Sequence, residues 1–245
     1  MSCDIKFSFK RYEVKYFLSP EQYSSLLCGM KMYMSPDEYG KTSICNIYYD
    51  TDDWDLIRRS AEKPVYKEKL RIRSYGVPEE NGRVFIEIKK KFSGVVYKRR
   101  ISSVARIAEK FLQSPIAASN ASQIEKEIKW FQLYHRTKPK VFIGYDRIAY
   151  IGRDDPDLRI TFDTNMRWRD YDLDLRFGDY GKPIIETDKI LMEIKIPGVC
   201  PMWLARLLSE VGTFPASFSK YGACYANHLI KKDISEKEKE ALHSA

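Results

Sequence analysis

A strict alternation of apolar and charged residues recurs along many segments of this sequence, and it limits the folds that the chain can adopt. In residues 66–75, lysines and arginines occupy odd positions and oppose Leu70 and Ile72. Residues 83–91 and 95–101 repeat the alternation after turn-forming stretches. A period of two is typical of a β-strand with two unlike faces. These three segments are therefore predicted to form a meander of long antiparallel strands.

The rest of the chain is predicted to mix strands with helices. Further strands are predicted at residues 11–17, 44–50, 141–150, 158–163, 184–187 and 190–196. Helices are predicted at residues 20–34, at 102–134 with a break near Ser114, at 199–211 and at 217–230. Ser19 and Gln22 have the spacing of a capping box, and Pro20 suits the first helical position. Residues 1–230 are predicted to be a single domain, followed by a charged tail at 231–245.

The charged face of each of these strands carries mostly lysine and arginine side chains. For one strand, a half-buried element with a solvated face explains the pattern. A flat exposed sheet usually mixes charge signs, however, because like charges directly opposite one another destabilise it. Repetition therefore favours an α+β fold with a closed antiparallel β-barrel or tunnel of about eight strands, a basic interior and helices packed outside. The cations in this pattern are Lys69, Arg71, Arg73, Lys89, Lys98, Arg100, Arg147, Arg159 and Lys195.

Clustered cations of this kind favour a multiply charged phosphate ligand. Each guanidinium can donate two parallel hydrogen bonds to phosphate oxygens. The same parity also carries Glu13, Glu87 and Glu193, which would repel phosphate unless a Mg²⁺ or Mn²⁺ ion lay between them. The alternative is that these acids neutralise adjacent lysines and arginines.

The composition narrows the choice of partner and metal. The formal net charge is +8, which indicates an anionic partner but leaves nucleic acid, an acidic membrane surface and a phosphorylated small molecule open. The five cysteines are scattered, and the three histidines lack ligand spacing. A disulfide framework or zinc site is therefore not indicated, and a bound metal should be a hard cation held by oxygen. With neither an apolar leader nor a stretch of membrane-spanning length, we expect a cytoplasmic protein.

An ordered set of short motifs resembles one known family. The motifs are RYEVKY (11–16), YDT (49–51), KLRIRSYG (69–76), FIEIKKK (85–91), KRR (98–100), YDR (145–147), LMEIK (191–195) and SKY (219–221). Each motif is weak, but together they resemble the catalytic domain of the vacuolar transporter chaperone family, the polyphosphate polymerase branch of the triphosphate tunnel metalloenzymes. The resemblance covers nearly the whole chain, roughly residues 6–229.

The resemblance implies a role for individual residues. Arg71 and Arg73 resemble the pair that clasps the nucleotide phosphates. Lys89, Lys98, Arg147 and Arg159 resemble catalytic cations along the path of the phosphate chain. Glu193 resembles the metal-binding glutamate, with Glu87 and Glu13 as further metal candidates. The residues implied in substrate binding are Lys15, Lys69, Arg100, Tyr145, Lys195, Ser219 and Lys220.

The implied activity is synthesis of inorganic polyphosphate from ATP with Mn²⁺ or Mg²⁺. Related tunnel enzymes that hydrolyse triphosphates often begin with an acidic ExE strand, whereas this chain has Lys15 in the second acidic position. That difference favours the polymerase branch. A triphosphatase and a non-catalytic polyanion-binding module remain alternatives. The expected partners are ATP and polyphosphate or pyrophosphate, with no nucleic acid, and a membrane-protein partner is left open.

Two other charged groups have simpler interpretations. Asp50, Asp52 and Asp53 could bind a metal, but a turn that ends a strand and caps a helix explains them better. Arg58 and Arg59 could contact a nucleotide, but an exposed basic helix or loop is the simpler interpretation.

Overall fold

The structure is a computed structural model that describes residues 12–232 except 63, 94, 115, 117, 197 and 231. The described strands are β1 (Tyr12–Leu18), β2 (Met34–Pro36), β3 (Thr42–Asp50), β4 (Tyr66–Tyr75), β5 (Arg83–Phe92), β6 (Val95–Val104), β7 (Lys138–Gly152), β8 (Arg159–Arg169), β9 (Lys182–Pro183) and β10 (Ile190–Ile196). The helices are α1 (Pro20–Met30), α2 (Asp55–Ala61), α3 (Ala105–Gln113), α4 (Gln123–His135), α5 (Met202–Val211) and α6 (Lys220–Cys224). A 3-10 turn (Leu175–Phe177) and a π-helical turn (Tyr225–Leu229) complete the described elements.

The described chain divides into two compact units. The first comprises the described parts of Met1–Thr42, Asp146–Thr164 and Glu186–Phe218. The second comprises the described parts of Ser43–Tyr145, Asn165–Ile185 and Ser219–Ala245. Because β7 and β8 are long, each contributes one part to each unit.

In the first unit, α1 and α5 cover the apolar face of antiparallel strands. β1 pairs with β10, β10 pairs with β8, and β2 pairs with the end of β7. The capping box predicted for α1 is confirmed, since the Ser19 hydroxyl accepts from the Gln22 amide and the Gln22 side chain accepts from the Ser19 amide. The core includes Leu18, Leu26, Ile160, Phe162, Met192, Ile194 and Leu204.

In the second unit, α3 and α4 cover the apolar face of the strand meander. β3, β4, β5 and β6 pair in chain order, each antiparallel to the next. Ala105, Ala108 and Leu112 give α3 one buried face at helical spacing. The cluster beneath α3 and α4 includes Ile47, Leu70, Ile72, Ile86, Ile88, Ile128 and Phe131. The predicted meander is therefore confirmed, with its aliphatic parity buried under helices.

The predicted closed barrel is wrong. The strand order is β1-β10-β8-β7-β3-β4-β5-β6, which is an open path with two different end strands. At the β6 end, residues 95–100 are all exposed, and they include three consecutive cations, Lys98 to Arg100. Charged side chains of this kind are typical of an edge strand, since they disfavour further pairing. The antiparallel sheet with helices on its apolar face is as predicted.

Several element boundaries differ from the sequence prediction. α1 ends at Met30, where the amides of Lys31 and Tyr33 close tight turns onto preceding carbonyls. β6 continues to Val104, so α3 begins later than predicted. The weak strand at 184–187 is replaced by the two-residue β9. Arg11, Gly94, Pro197 and, apart from Lys232, the predicted tail lie outside the described residues.

The four cysteines that the structure describes, Cys28, Cys45, Cys200 and Cys224, are free thiols. Among the described residues, the helices are too short or too polar to cross a lipid bilayer.

The core of the second unit can be tested by truncating a central strand residue. Ile86 lies in β5 and is 0 % exposed, so Ile86→Ala should lower the free energy of unfolding by about 3 kcal/mol through lost burial and a residual cavity. Ile107 on α3 is 49 % exposed, so the control Ile107→Ala should cost less than about 1 kcal/mol. Urea denaturation measures both, and equal losses would contradict this core assignment.

Candidate functional site

The face of the meander opposite the helices carries the predicted cations of the second unit. On β4 the odd positions 67, 69, 71 and 73 are all Lys or Arg, whereas Leu70 and Ile72 point into the core. The strand register extends this basic face to the odd positions of β5 and the even positions of β6. Within these three strands, all of whose residues are described, Glu87 is the one acid on that face.

Like charges meet directly across this face. Lys69 lies opposite Lys89, and Lys89 lies opposite Lys98. Three lysine residues thus form one row across three strands, in which the Cβ atoms of cross-strand neighbours are roughly 5 Å apart. Like charges in such a row repel one another unless negative charge lies among them, and Lys98 of this row pairs with Glu87. The next row is Arg71–Glu87–Arg100, in which the acid separates two guanidinium groups.

Glu87 is the counter-ion at the centre of this face. Its side chain is 1 % exposed, with Lys98 Nζ 2.6 Å from Oε1. Arg71 donates to Oε2 from Nε at 2.8 Å and from Nη2 at 2.7 Å. Burial alone would raise the pKa of Glu87, but the charges of Arg71, Arg73 and Lys98 outweigh it and lower the pKa to about 2. The carboxylate is therefore ionised at neutral pH.

Arg73 is held by polar groups rather than by an acid. It is 8 % exposed, and its Nε donates to Asn46 Oδ1 at 2.8 Å while its Nη2 donates to the Tyr145 hydroxyl at 3.0 Å. The Asn46 amide in turn donates to the Ile143 carbonyl at 2.9 Å. These bonds fix the guanidinium and leave its positive charge uncompensated by any of these partners.

The start of α6 lies against the same face. Lys69 Nζ donates to Ser219 Oγ at 3.3 Å, and Ser219 also caps α6 by accepting from the Gly222 amide at 3.2 Å. Lys220 Nζ lies 4.3 Å from the centre of the Tyr145 ring. The structure therefore brings Ser219 and Lys220 together with the cations of β4, as a shared site requires.

In the second unit, the structure gathers most of the site residues predicted from the sequence. This group, called the basic cluster below, consists of Lys69, Arg71, Arg73, Glu87, Lys89, Lys98, Arg100, Tyr145, Ser219 and Lys220. Arg100 lies at its edge, stacked 4.8 Å from the centre of the Phe85 ring.

In the first unit, acids and lysines alternate across β1 and β10. Glu13 lies opposite Lys195, and Lys15 lies opposite Glu193. Lys195 Nζ is 3.7 Å from Glu13 Oε1 and 3.5 Å from Glu193 Oε1, so both carboxylates share one ammonium group. Lys15 Nζ donates to the Phe218 carbonyl at 2.7 Å.

Arg147 and Arg159, also in the first unit, have different environments. Arg147 donates to Asp163 through Nε at 2.6 Å and through Nη2 at 2.7 Å, which makes a bidentate pair. Asp163 is 0 % exposed. Arg159 is exposed and lies opposite Lys195 in the strand register. Arg147 is thus held in place by a buried acid that the sequence analysis did not assign to the site.

Asp50 ends a strand and caps a helix, as the simpler interpretation of the sequence predicted. Its Oδ1 accepts from the Thr51 and Leu56 amides at 2.8 and 2.9 Å, and its Oδ2 accepts from the Ile57 amide at 3.1 Å. Asp50 therefore caps α2, whose N-cap residue Trp54 makes no side-chain cap bond.

The neighbouring charges of α2 form surface ion pairs. Arg58 lies 3.4 Å from Asp53, and Arg59 lies 2.9 Å from Asp55. Both arginine side chains are exposed, as the simpler sequence interpretation expected.

A preformed metal cage is absent from the described part of the chain, where no three His, Cys, Asp or Glu side chains cluster at ligand distances. The Glu13 and Glu193 carboxylates nevertheless share the Lys195 ammonium, so the pair can accommodate one positive charge. Mg²⁺ is commonly held by one or two carboxylates together with substrate phosphates. Glu13 and Glu193 fit that kind of site, whereas the Glu87 oxygens are bound to Arg71 and Lys98.

Comparison with known proteins identifies the family of this chain. The model of the VTC domain matches residues 10–229. The chain belongs to the VTC domain family.

A curated relative of this VTC domain is vacuolar transporter chaperone complex subunit 4 of Schizosaccharomyces pombe. It is 25% identical over 189 residues, which cover 65% of this chain and 26% of the relative. The chain therefore spans about a quarter of that protein's length.

Solved structures resemble this VTC domain at low sequence identity. HpAC1 from Hippeastrum, a candidate adenylyl cyclase with a dominant triphosphatase activity, is 16% identical with a TM-score of 0.50. The match covers 88% of this chain and 95% of HpAC1. A candidate adenylate cyclase from Vibrio parahaemolyticus is 12% identical with a TM-score of 0.45, covering 87% and 96% of the two chains. The likeness to HpAC1 shows a related fold.

Sequence reasoning missed several residues that organise the site of this VTC domain. Tyr48 and Asn46 lie opposite Arg71 and Arg73 on β3 and contact them directly. The sequence carried a signal for these residues, since Asn46, Tyr48 and Asp50 are two residues apart. In a strand this spacing places all three on one face, away from the core residue Ile47.

Replacement of Glu87 tests its role as the counter-ion. Glu87→Gln should lower the free energy of unfolding at pH 7 by about 3 kcal/mol, since it leaves buried cations without their acid. The pKa of Glu87 is lowered from 4.5 to about 2 on folding. Its contribution is therefore complete above about pH 4.5 and is lost as the pH falls towards about 2.

The matched control is Glu127→Gln. Glu127 pairs with Lys90 and Arg99 at 2.8 and 3.1 Å but is 21% exposed, so its loss should cost about 1 kcal/mol or less. Urea titrations at pH 7, 5 and 3.5 measure both variants. A loss for Glu87→Gln that matches the control, or that stays constant down to pH 3.5, would contradict the assignment.

Proposed function

We propose that this VTC domain is an ATP-dependent polyphosphate polymerase that transfers the γ-phosphate of ATP to a growing inorganic polyphosphate chain. The observation that carries the proposal is the row Lys69–Lys89–Lys98, directly opposed across three strands. A linear phosphate chain carries negative charge along its length and can offset this repulsion. The membership of the VTC family supports the same activity.

The geometry of the arginines favours a slender phosphate chain over nucleic acid. Arg73 is 8 % exposed, and the Arg71 side chain is 19% exposed. A duplex is usually bound by cations that project from an outer face, and a single strand is usually bound with exposed aromatic rings for stacking. Guanidinium groups recessed this deeply suit a ligand narrower than a duplex.

The proposed chemistry needs positioning and charge stabilisation rather than a protein nucleophile. A terminal oxygen of the polyphosphate chain attacks the γ-phosphorus of ATP in line. The new P–O bond forms as the bond to the bridging oxygen breaks, and ADP leaves with that electron pair. Arg71 and Arg73 would hold the nucleotide phosphates, while Lys69, Lys89 and Lys98 would bind phosphate oxygens of the chain.

The remaining predicted residues have proposed roles of their own. Arg100, Tyr145, Ser219 and Lys220 would bind substrate at the edge of the basic cluster. Arg147 and Arg159 would act as further cations for the phosphate chain, and Lys15 and Lys195 as substrate-binding lysines. Glu193 and Glu13 would hold a Mn²⁺ or Mg²⁺ ion, which when bound supplies positive charge to phosphate oxygens. Glu87 remains a weaker metal candidate because Arg71 and Lys98 bind its oxygens.

A triphosphatase is the second candidate, since HpAC1 has a triphosphatase activity. The two functions differ in whether phosphate or water attacks. Lys15 favours transfer because it places an ammonium, hydrogen-bonded to the Phe218 carbonyl, where hydrolytic tunnel enzymes often have an acid. The S. pombe relative is a subunit of a complex, and we propose that this chain acts in the cytoplasm with a membrane-protein partner.

Product analysis tests the function. With ATP and Mn²⁺, we expect ADP and long polyphosphate, resolved by gel electrophoresis and sensitive to an exopolyphosphatase. Release of orthophosphate alone would establish hydrolysis instead. No turnover together with tight binding of tripolyphosphate would indicate a binding module, and competition by duplex DNA but not tripolyphosphate would contradict the phosphate-chain proposal.

Adjacent arginines on β6 provide a matched pair of variants. Arg100 lies on the basic face, whereas Arg99 has the opposite parity and pairs with Glu127 of α4 at 3.1 Å. Arg100→Gln should reduce the rate of polyphosphate synthesis roughly tenfold, as expected for loss of a charged hydrogen bond. Arg99→Gln should leave the rate unchanged. Equal effects of both substitutions on initial rates would argue against the basic face as the site.

A further inference from the structure

At the start of α6, three consecutive side chains contact the basic cluster, those of Ser219, Lys220 and Tyr221. Ser219 and Lys220 reach Lys69 and the Tyr145 ring, as described above. The third, Tyr221, is 2 % exposed. It is an uncharged side chain, and none of the roles proposed above belongs to it. Its contacts show what fixes the position of this turn.

Tyr221 is anchored by Asp50. Its hydroxyl donates to Asp50 Oδ2 at 2.7 Å, and the same carboxylate accepts from backbone amides at the start of α2. Burial and then the Asp50 charge raise the pKa of Tyr221 well above its ordinary value, so the phenol remains a donor. A buried carboxylate with several donors is a rigid anchor, since losing one donor leaves a buried acceptor unsatisfied.

Tyr48 connects this anchor to the phosphate-binding guanidinium. The Tyr48 and Tyr221 rings stack with centres 4.6 Å apart. The Tyr48 hydroxyl accepts from Arg71 Nη1 at 3.0 Å, on the opposite edge of the guanidinium from the bonds to Glu87. An arginine has five N–H donors, and the bonds to Tyr48 and Glu87 use three of them. The guanidinium is thus held on two sides while part of it can still donate to phosphate.

We propose that Tyr221, anchored by Asp50, and Tyr48, stacked on Tyr221, are positioning residues that orient the Arg71 guanidinium towards a bound phosphate chain. The proposal rests on the proposed function for its substrate. Neither tyrosine needs to touch the reacting atoms. The binding of tripolyphosphate to the basic cluster should depend on both hydroxyl groups.

The charge state of Tyr48 gives this arrangement a distinctive pH dependence. Burial would raise the pKa of Tyr48, but nearby cations outweigh burial and lower the pKa to about 8. A phenolate at this position adds negative charge beside Arg71 and opposes phosphate binding. The groups that act on Tyr48 directly are Lys69, Arg71 and Arg73 of β4 and Tyr221 of α6. Behind them, Glu87 of β5 binds Arg71, Tyr145 of β7 binds Arg73, and Asp50 of β3 binds Tyr221.

The experiment measures the Kd of tripolyphosphate by calorimetry at pH 7 and pH 9 for the full chain and three variants. Tyr221→Phe should raise the Kd at pH 7 roughly tenfold, as expected for a lost hydrogen bond to a charged group. Tyr48→Phe should also raise the Kd at pH 7 roughly tenfold, because it removes the hydrogen bond that Arg71 donates to the Tyr48 hydroxyl. The wild-type Kd divided by the Tyr48→Phe Kd should then rise from pH 7 to pH 9, as Tyr48 of the wild type loses its proton. Taking this ratio cancels the titration of tripolyphosphate itself.

The control is Tyr180→Phe. The Tyr180 hydroxyl also donates to a carboxylate, that of Asp172 at 2.6 Å, but Tyr180 lies outside the basic cluster. This variant should bind tripolyphosphate as the wild type does at both pH values. Circular dichroism verifies folding, and if Tyr221→Phe does not fold, the Kd of Tyr48→Phe at pH 7 decides.

The outcomes separate this proposal from the proposed function. If Tyr221→Phe or Tyr48→Phe binds tripolyphosphate with the wild-type Kd at pH 7, the positioning role is overturned. If the wild type binds tripolyphosphate but makes no polyphosphate from ATP, polymerase activity fails while the two binding measurements still decide the positioning role. Absence of tripolyphosphate binding overturns both.

Discussion

Repulsion among cations is the constraint around which the meander of β3 to β6 is organised. Three lysines face one another directly across β4, β5 and β6, and one buried acid, Glu87, lies in the adjacent row. Burying a carboxylate is favourable only when its lone pairs are well matched, and here Arg71 and Lys98 supply that match. The acid offsets part of the repulsion, and the face keeps an excess of positive charge. The same interaction therefore supports both the fold and the proposed phosphate binding.

Aromatic hydroxyls, rather than additional acids, fix the arginines of this basic cluster. Tyr48 accepts from Arg71, and Tyr145 accepts from Arg73. A neutral acceptor orients a guanidinium without neutralising it, so the positive charge remains to act on an anionic ligand. An aspartate in either position would orient the same group but would also compete with phosphate. The use of tyrosine thus suits a site that must be rigid and strongly basic.

The first unit balances its charges in a different way. Across β1 and β10, each acid lies opposite a lysine, and Lys195 lies within ion-pair distance of both Glu13 and Glu193. Alternating signs of this kind stabilise neighbouring strands by themselves. Two carboxylates that already share one ammonium can also share a divalent cation when phosphate supplies the remaining oxygen ligands. The two charge patterns correspond to the two proposed tasks, phosphate binding and metal binding.

The sequence by itself determined most of the strands, the two-sided alternation, the capping box at Ser19 and the family, because these depend on local periodicity and short motifs. It also identified most members of the basic cluster, since a period of two places Lys69, Arg71 and Arg73 on one face. Only the tertiary structure decided which lysines lie opposite one another and which cations pair with Glu87. It also decided that the strand order is open and what Tyr48 and Tyr221 contact. Register and cross-strand partners depend on packing between segments distant in sequence, and alternation within one strand carries no information about which strand lies beside it.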